Sequence, residues 1–201
     1  MSAVTQQNEG LTVKYDVDGV LTDVEETFYS CMDEGLEKDR EDFLKKVQET
    51  TNVAYRERND LVSPHEERIS EKMRAVKENI ERETGAEPEV VISTSREGVG
   101  KEDLENVLRE IGLDGRDYDR ITFEDEKWYD CDVLVEDNPQ QIHGLINERD
   151  KAVGYYVKNG SSELVYGQNK EVEGSERCEV VDGLSGVVEH TANGFEPPGD
   201  Y

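Results

Sequence analysis

Apolar residues along this chain fall into two rhythms, short runs and stripes three or four residues apart, and the two rhythms alternate. The runs predict strands at Leu11 to Val17, at Glu89 to Ser93 around Val90-Val91-Ile92, at Ile121 to Phe123, at Val133-Leu134-Val135, at Val153 to Val157 and at Val180-Val181. The stripes predict helices between them. Ile69, Met73, Val76 and Ile80 mark one helix face, with Gly85 as its stop, and Leu104, Val107, Leu108 and Ile111 mark another, ended by Gly112. Gln140 to Arg149 and a short segment near Val187 read as further helices. Ser63-Pro64-His65-Glu66 predicts a helix start, with a serine cap, a proline in the first position and a glutamate to close a capping box. Strands alternating with amphipathic helices predict a doubly wound, parallel α/β sheet.

The first crossover is too long for a plain strand-to-helix connection. Val24 to Asn59 is polar and helical in pattern, with a short apolar stripe at Phe43, Leu44 and Val47. The expected organisation is therefore an α/β core at 11–23 and 63–192, a small helical cap inserted at 24–62, and polar termini at 1–10 and 193–201. Within the insertion, Phe28, Tyr29 and Tyr55 offer rings to a base or sugar, although packing inside the cap is the commoner use of such residues. One position disturbs the strand pattern. Lys14 falls where a central parallel strand normally buries an apolar side chain. Either its stem snorkels past its neighbours or the strand is less covered than usual.

Composition changes the picture in two ways. Only 34% of the 201 residues are hydrophobic and 36% are charged, a balance that would suggest disorder if the apolar residues were scattered rather than periodic. With 49 acidic residues against 23 basic ones, the formal net charge is -26. No acidic tail accounts for this, so the acids are expected over the whole surface, as in proteins from high-salt cells, where salt screens their repulsion. The same charge argues against a nucleic-acid-binding surface, because no basic stripe offsets phosphate repulsion. Cys31, Cys131 and Cys178 are odd in number, far apart and without a C-x-x-C pair, which favours reduced thiols in a cytoplasmic setting. No apolar run is long enough to span a membrane, and Met1 to Gly10 has no apolar signal core.

The candidate chemistry lies at the predicted strand ends, where open α/β sheets form their sites. Asp16 and Asp18 follow the first strand, Ser93-Thr94-Ser95-Arg96 close the second, Lys127 comes after the third, and Glu136-Asp137 end the fourth. In a chain this acidic an Asp-x-Asp arises easily by chance, but four polar strand ends in this order do not. Carboxylates supply a nucleophile and hard oxygen ligands, a lysine supplies fixed positive charge, and hydroxyls hold phosphoryl oxygens. Arg96 fits two roles, a substrate clamp or a structural ion pair. Trp128 adjoins Lys127 and either lines the pocket or packs. His65, His143 and His190 are isolated and form no metal-binding cluster.

These residues resemble the haloacid dehalogenase superfamily at all four of its signature motifs. Tyr15-Asp16-Val17-Asp18-Gly19-Val20-Leu21-Thr22-Asp23 is similar to the first, Val90-Val91-Ile92-Ser93-Thr94-Ser95-Arg96 to the second, Lys127 to the third, and Val133-Leu134-Val135-Glu136-Asp137-Asn138-Pro139 to the fourth. The likeness runs from Leu11 to about Val188, and the subfamily pattern it most resembles is that of the 5'(3')-deoxyribonucleotidases. It implies a phosphatase in which Asp16 is the nucleophile and Asp18 the general acid and base. A second acid at that position is what separates the superfamily's phosphatases from its dehalogenases. It further implies Mg2+ held by Asp16, the Asp18 carbonyl and Asp137, with Glu136 as an alternative ligand, since the paired acid differs from the double aspartate common in nucleotidases. Thr94, Ser95, Arg96 and Lys127 would bind the phosphate of a small phosphate ester, a nucleoside monophosphate being the first candidate. Two alternatives stay open from the residues alone: a phosphatase acting on nucleic-acid ends, and a non-catalytic module that keeps the fold.

Overall fold

In a computed structural model of the chain, the described residues are 10–33, 40–57, 63–160, 162, 166 and 169–196. Among the described residues the first elements are β1 (Thr12–Asp16) and the two-residue β2 (Thr22–Asp23), then helices α1 (Glu25–Asp33) and α2 (Arg40–Glu57). The short β3 (Ser63–Pro64) leads into α3 (Ile69–Thr84), β4 (Glu89–Thr94), α4 (Lys101–Glu110) and β5 (Arg120–Phe123). After these come β6 (Val133–Glu136), α5 (Pro139–Glu148), β7 (Val153–Val157), the single turn α6 (Lys170–Glu173), β8 (Cys178–Val181) and α7 (Leu184–Asn193).

Six strands pair in parallel in the spatial order β5-β4-β1-β6-β7-β8. The chain builds outward from β1 to β5 on one side and from β6 to β8 on the other, so the order reverses between β1 and β6. Side chains alternate between the two faces. Val13, Tyr15, Val90, Ile92, Val133, Val135, Tyr155 and Val157 pack with Ile69, Met73, Val76 and Ile80 of α3, Leu104 and Val107 of α4, and Leu184 and Val187 of α7. On the other face, Leu134 and Tyr156 pack with Ile142 and Leu145 of α5 and Val172 of α6. Each such aliphatic side chain contributes roughly 1.5–3 kcal/mol on burial. Helices therefore cover both faces, the doubly wound arrangement that the alternating pattern predicts. Gly85 ends α3 in the left-handed conformation at φ 73, and its N–H donates to Glu81 O at 2.7 Å.

Ser63-Pro64 does not start a helix. These residues pair antiparallel with Thr22-Asp23, and α3 begins at Ile69, after Arg68 in the left-handed region and without a side-chain cap. The expected capping glutamate is drawn elsewhere: Glu66 accepts from Ser185 N at 3.0 Å, at the start of α7, and from Lys72 Nζ at 2.8 Å. Pro64 suits a two-stranded ribbon because it needs no ladder donor. The ribbon joins the two ends of the segment that carries α1 and α2. In that segment Val24, Phe28 and Cys31 pack against Phe43 and Val47, with the Phe28 and Phe43 rings edge-on at 5.8 Å. The end of the expected cap at 58–62, the expected N-terminal tail apart from Gly10, and the C-terminal tail beyond residue 196 lie outside the described residues.

Lys14 neither reaches solvent nor sits on a bare strand. It is 1% exposed, and its Nζ donates to Glu124 Oε1 at 2.7 Å and to Tyr129 O at 2.6 Å. Glu124 also accepts from Ser93 Oγ and Thr122 Oγ1, each at 2.8 Å. Burial pushes the Glu124 carboxyl up, but donors from Lys14, Thr122 and Ser93 outweigh it and hold the group below its ordinary range. The three cysteines are buried and form no disulfide. Burial pushes the Cys131 and Cys178 thiols up to about 12, which keeps them protonated and unreactive. No helix among the described residues is long and apolar enough to cross a membrane.

Candidate active site

The order reversal between β1 and β6 opens a crevice at the carboxyl ends of the strands, the place where such sheets hold ligands. Asp16 ends β1 opposite Ser93 of β4, and Glu136 ends β6, one position beyond the last β1–β6 pair at Tyr15 and Val135. Lys127 stands between them on the loop after β5. Its Nζ donates to Asp16 Oδ1 at 2.5 Å and to Glu136 Oε2 at 2.9 Å, and all three residues are buried. Gln141 of α5 holds that loop: its Oε1 accepts from Lys127 N at 3.0 Å, and its Nε2 donates to Asp125 O at 2.7 Å.

Asp137 completes the cluster. One oxygen each from Asp16, Glu136 and Asp137 lies within 4.8 Å of the others. Asp137 packs over the turn that follows β1, where Gly19 has φ +81 and a Cβ would overlap the Asp137 carboxylate. Only glycine admits both that conformation and that approach. Asn159, after β7, donates from Nδ2 to Gly19 O at 2.7 Å and fixes the turn. Next, Asn138 caps α5 by accepting from Gln140 N at 3.0 Å, with Pro139 at the first helical position.

The charges do not balance within this cluster. Burial, and then the neighbouring Glu136, push the Asp16 and Asp137 carboxyls well above their ordinary range. Burial opposes the charge of Lys127, but Asp16 and Glu136 outweigh it and raise its pKa. Three carboxylates against one ammonium leave buried negative charge that only a cation or protons can offset. The donors are all oxygen and close enough to share an ion, which is the ligand chemistry that suits magnesium.

Asp18 stands apart from the cluster. Its Oδ2 accepts from Arg96 Nη2 at 2.5 Å and Nε at 3.0 Å, and its Oδ1 accepts from Tyr55 OH at 2.6 Å. Arg96 also donates from Nη1 to Asn52 Oδ1 at 2.9 Å and lies 4.8 Å above the Tyr55 ring. Thr94 is buried at the end of β4, where its Oγ1 accepts from Arg96 N at 3.2 Å, and Ser95 beside it is exposed. A cavity of about 400 Å³ opens over these groups, lined on one side by Asp16, Asp18, Thr94, Ser95, Arg96, Lys127, Glu136 and Asp137. Val24, Phe28, Leu44 and Val47 line the side formed by α1, α2 and the residue before α1.

No family model matches the chain, and no curated protein matches it in sequence. Solved structures match it in fold. A haloacid dehalogenase-like family hydrolase from Xanthomonas campestris superposes with a TM-score of 0.51 at 13% identity, over 90% of this chain and 89% of that one. A dehalogenase with an intermediate complex gives 0.55 at 14% identity, over 92% and 98% of the two chains. A protein assigned as a beta-phosphoglucomutase from Thermotoga maritima gives 0.52 at 15% identity, over 92% and 100%. The chain has a haloacid dehalogenase-like fold.

On that fold, eight of the nine residues singled out at the strand ends line one cavity, although they come from four separate stretches of sequence, while Ser93 is buried and donates to Glu124 instead. Of the two roles open to Arg96, the ion pair is formed, and it is made with Asp18. Trp128 turns away and packs over Gly144 of α5. Phe28 lines the cavity, while Tyr29 is half exposed and outside it. No histidine lies in the site; His190, for one, meets Tyr155 OH at 3.0 Å. Three contributors escape sequence reasoning: Gln141, Asn159 and Tyr166. Tyr166 lines the cavity, and burial, then Asp137, raise its phenol pKa. Tyr55, offered by the sequence as a stacking or packing ring, instead meets the site through its hydroxyl on Asp18.

Proposed function

We propose that the protein is a magnesium-dependent phosphomonoesterase of the haloacid dehalogenase superfamily, acting on a small phosphate ester, with a nucleoside monophosphate as the first candidate. The observation that carries this reading is the buried Lys127 bridge between Asp16 and Glu136, with Asp137 beside it, on the floor of a cavity at the sheet's switch point. Asp16 and Asp137 would hold magnesium with the Asp18 carbonyl; Glu136, already accepting from Lys127 and from Asn138 N at 3.0 Å, supports them. Bound there, magnesium supplies the positive charge that lets a carboxylate approach a phosphate.

The chain's own groups then account for two balanced half-reactions. An Asp16 oxygen attacks phosphorus, the bond from phosphorus to the ester oxygen breaks, and that oxygen leaves with its electron pair and takes the proton of the Asp18 carboxyl. Lys127 holds Asp16 in place and adds fixed charge beside it. Thr94 and Ser95 face the transferring oxygens. Water next attacks phosphorus and gives a proton to the Asp18 carboxylate, and the bond from phosphorus to Asp16 breaks to restore the nucleophile. The apolar wall of Phe28, Leu44 and Val47 suits a leaving group with a ring or sugar face, which supports a nucleotide over inorganic substrates. The test is a screen of nucleotides and sugar phosphates with magnesium in molar potassium chloride. Hydrolysis is expected to stop on chelation and return with added magnesium; an undiminished rate after chelation would overturn the metal-dependent reading.

A further inference from the structure

Asp18 is held by two donors of different kinds, one on each carboxylate oxygen. Arg96 grips Oδ2 but also lines the cavity beside Thr94, Ser95 and Lys127, where a phosphate would offer it a second anionic partner. Tyr55 grips Oδ1 at 2.6 Å and is itself fully buried. Its hydroxyl is braced in turn by Thr22 Oγ1 at 3.1 Å, on the short strand that begins the inserted segment, while Thr22 Oγ1 lies 3.1 Å from Val17 O on the turn after β1. Of the two oxygens within reach of the phenol, the Asp18 carboxylate is the nearer and carries the charge, so it takes the phenol proton, and a buried hydroxyl bonded to such an acceptor holds it in a fixed orientation. Helix α2, which carries Tyr55, is pinned to the loop after β4 by Asn52 Nδ2 donating to Glu97 O at 2.8 Å and by Arg56 donating to Gly98 O.

We propose that Tyr55 is the positioning residue for the proton-transferring Asp18, the fixed member of a pair in which Arg96 is exchangeable. The inference rests on the phosphatase reading. When substrate enters, Arg96 turns toward the phosphoryl oxygens and releases Oδ2, which takes up a proton from water and faces the leaving oxygen, while Tyr55 keeps Oδ1 and so the plane of the carboxyl. Substrate thereby frees one carboxyl oxygen without freeing the whole side chain. The inserted segment contributes to proton transfer through α2, in addition to walling the cavity.

The test compares kcat/KM for two esters that differ in their need for a proton, with magnesium in molar potassium chloride. p-Nitrophenyl phosphate releases a stable anion; the best alkyl phosphate of the substrate screen releases an alkoxide that must be protonated. Tyr55→Phe keeps the ring beneath Arg96 and deletes only the hydroxyl. The alkyl-to-aryl ratio of kcat/KM is expected to fall at least tenfold, a fraction of the roughly 10²–10⁴-fold that a positioned acid contributes. A purely structural hydroxyl would lower both values alike, and an unchanged ratio overturns the proposal. Should Tyr55→Phe fail to fold, Thr22→Val takes its place: it removes the brace and keeps the phenol, and a smaller fall in the same ratio is expected, with no fall again overturning the proposal. A wild-type protein that hydrolyses neither ester overturns the phosphatase reading and this inference with it. Wild-type hydrolysis with unchanged ratios overturns the inference alone.

Discussion

A lysine in the middle of a central parallel strand needs partners that do not belong to the strand. Lys14 finds them 110 and 115 residues away in Glu124 and in the Tyr129 carbonyl, both on the loop that carries Lys127. Lys14→Met should leave Glu124 without its counter-charge and the Tyr129 carbonyl without its donor. Removing one partner of a buried pair costs about 3–5 kcal/mol, and the partial exposure of Glu124 places this case near the lower end. Urea unfolding in molar potassium chloride checks it; a variant as stable as wild type would contradict this account of Lys14. The pH dependence has a definite sign. The folded Glu124 carboxyl lies below its ordinary value, so its contribution is complete at neutral pH and is lost as pH falls through the folded value. The gap between wild type and Lys14→Met should therefore narrow on acidification. Nothing near Lys14 in sequence foretells this pairing, which is why a snorkelling stem or an uncovered strand were the readings the local pattern allowed.

Elements whose signal is local were legible. The six parallel strands and the faces of α3 and α4 follow from apolar spacing, because neighbours a few residues apart define both rhythm and face. The polar strand ends were legible for a related reason: once β1, β4 and β6 lie side by side, Asp16, Thr94 and Glu136 have nowhere to go but the crevice. What failed depended on distant partners. Ser63 to Glu66 carries a sound capping signal, yet β2 claims Ser63-Pro64 and α7 claims Glu66, and these long-range contacts override it. The single turn α6 is too short to show a period. Tyr55, Gln141 and Asn159 touch the site by hydrogen bonds across 37, 14 and 140 residues, separations at which the spacing of residues along the chain carries no information.

Charge is the property of the molecule as a whole that governs its working conditions. With a formal net charge of -26, like charges across each face repel over a Debye length of about 30 Å at 0.01 M salt and only about 3 Å at 1 M. Domains of this size hold about 5–15 kcal/mol of stability, so the repulsion is large enough to decide whether the chain folds. The melting temperature should climb steeply from low salt to molar potassium chloride, with activity following it. A melting temperature that stays flat or falls over that range would contradict a high-salt origin and leave the site chemistry untouched.

In the proposed mechanism Asp16 carries the phosphoryl group between the two half-reactions. Protein quenched in acid during turnover of p-nitrophenyl phosphate, then digested and mapped by mass spectrometry, locates that group directly. The expected result is phosphate on Asp16 and on no other residue, with neither the adduct nor turnover in a folded Asp16→Asn variant. Wild-type turnover with no phosphate on Asp16, or undiminished hydrolysis by Asp16→Asn, would contradict the account.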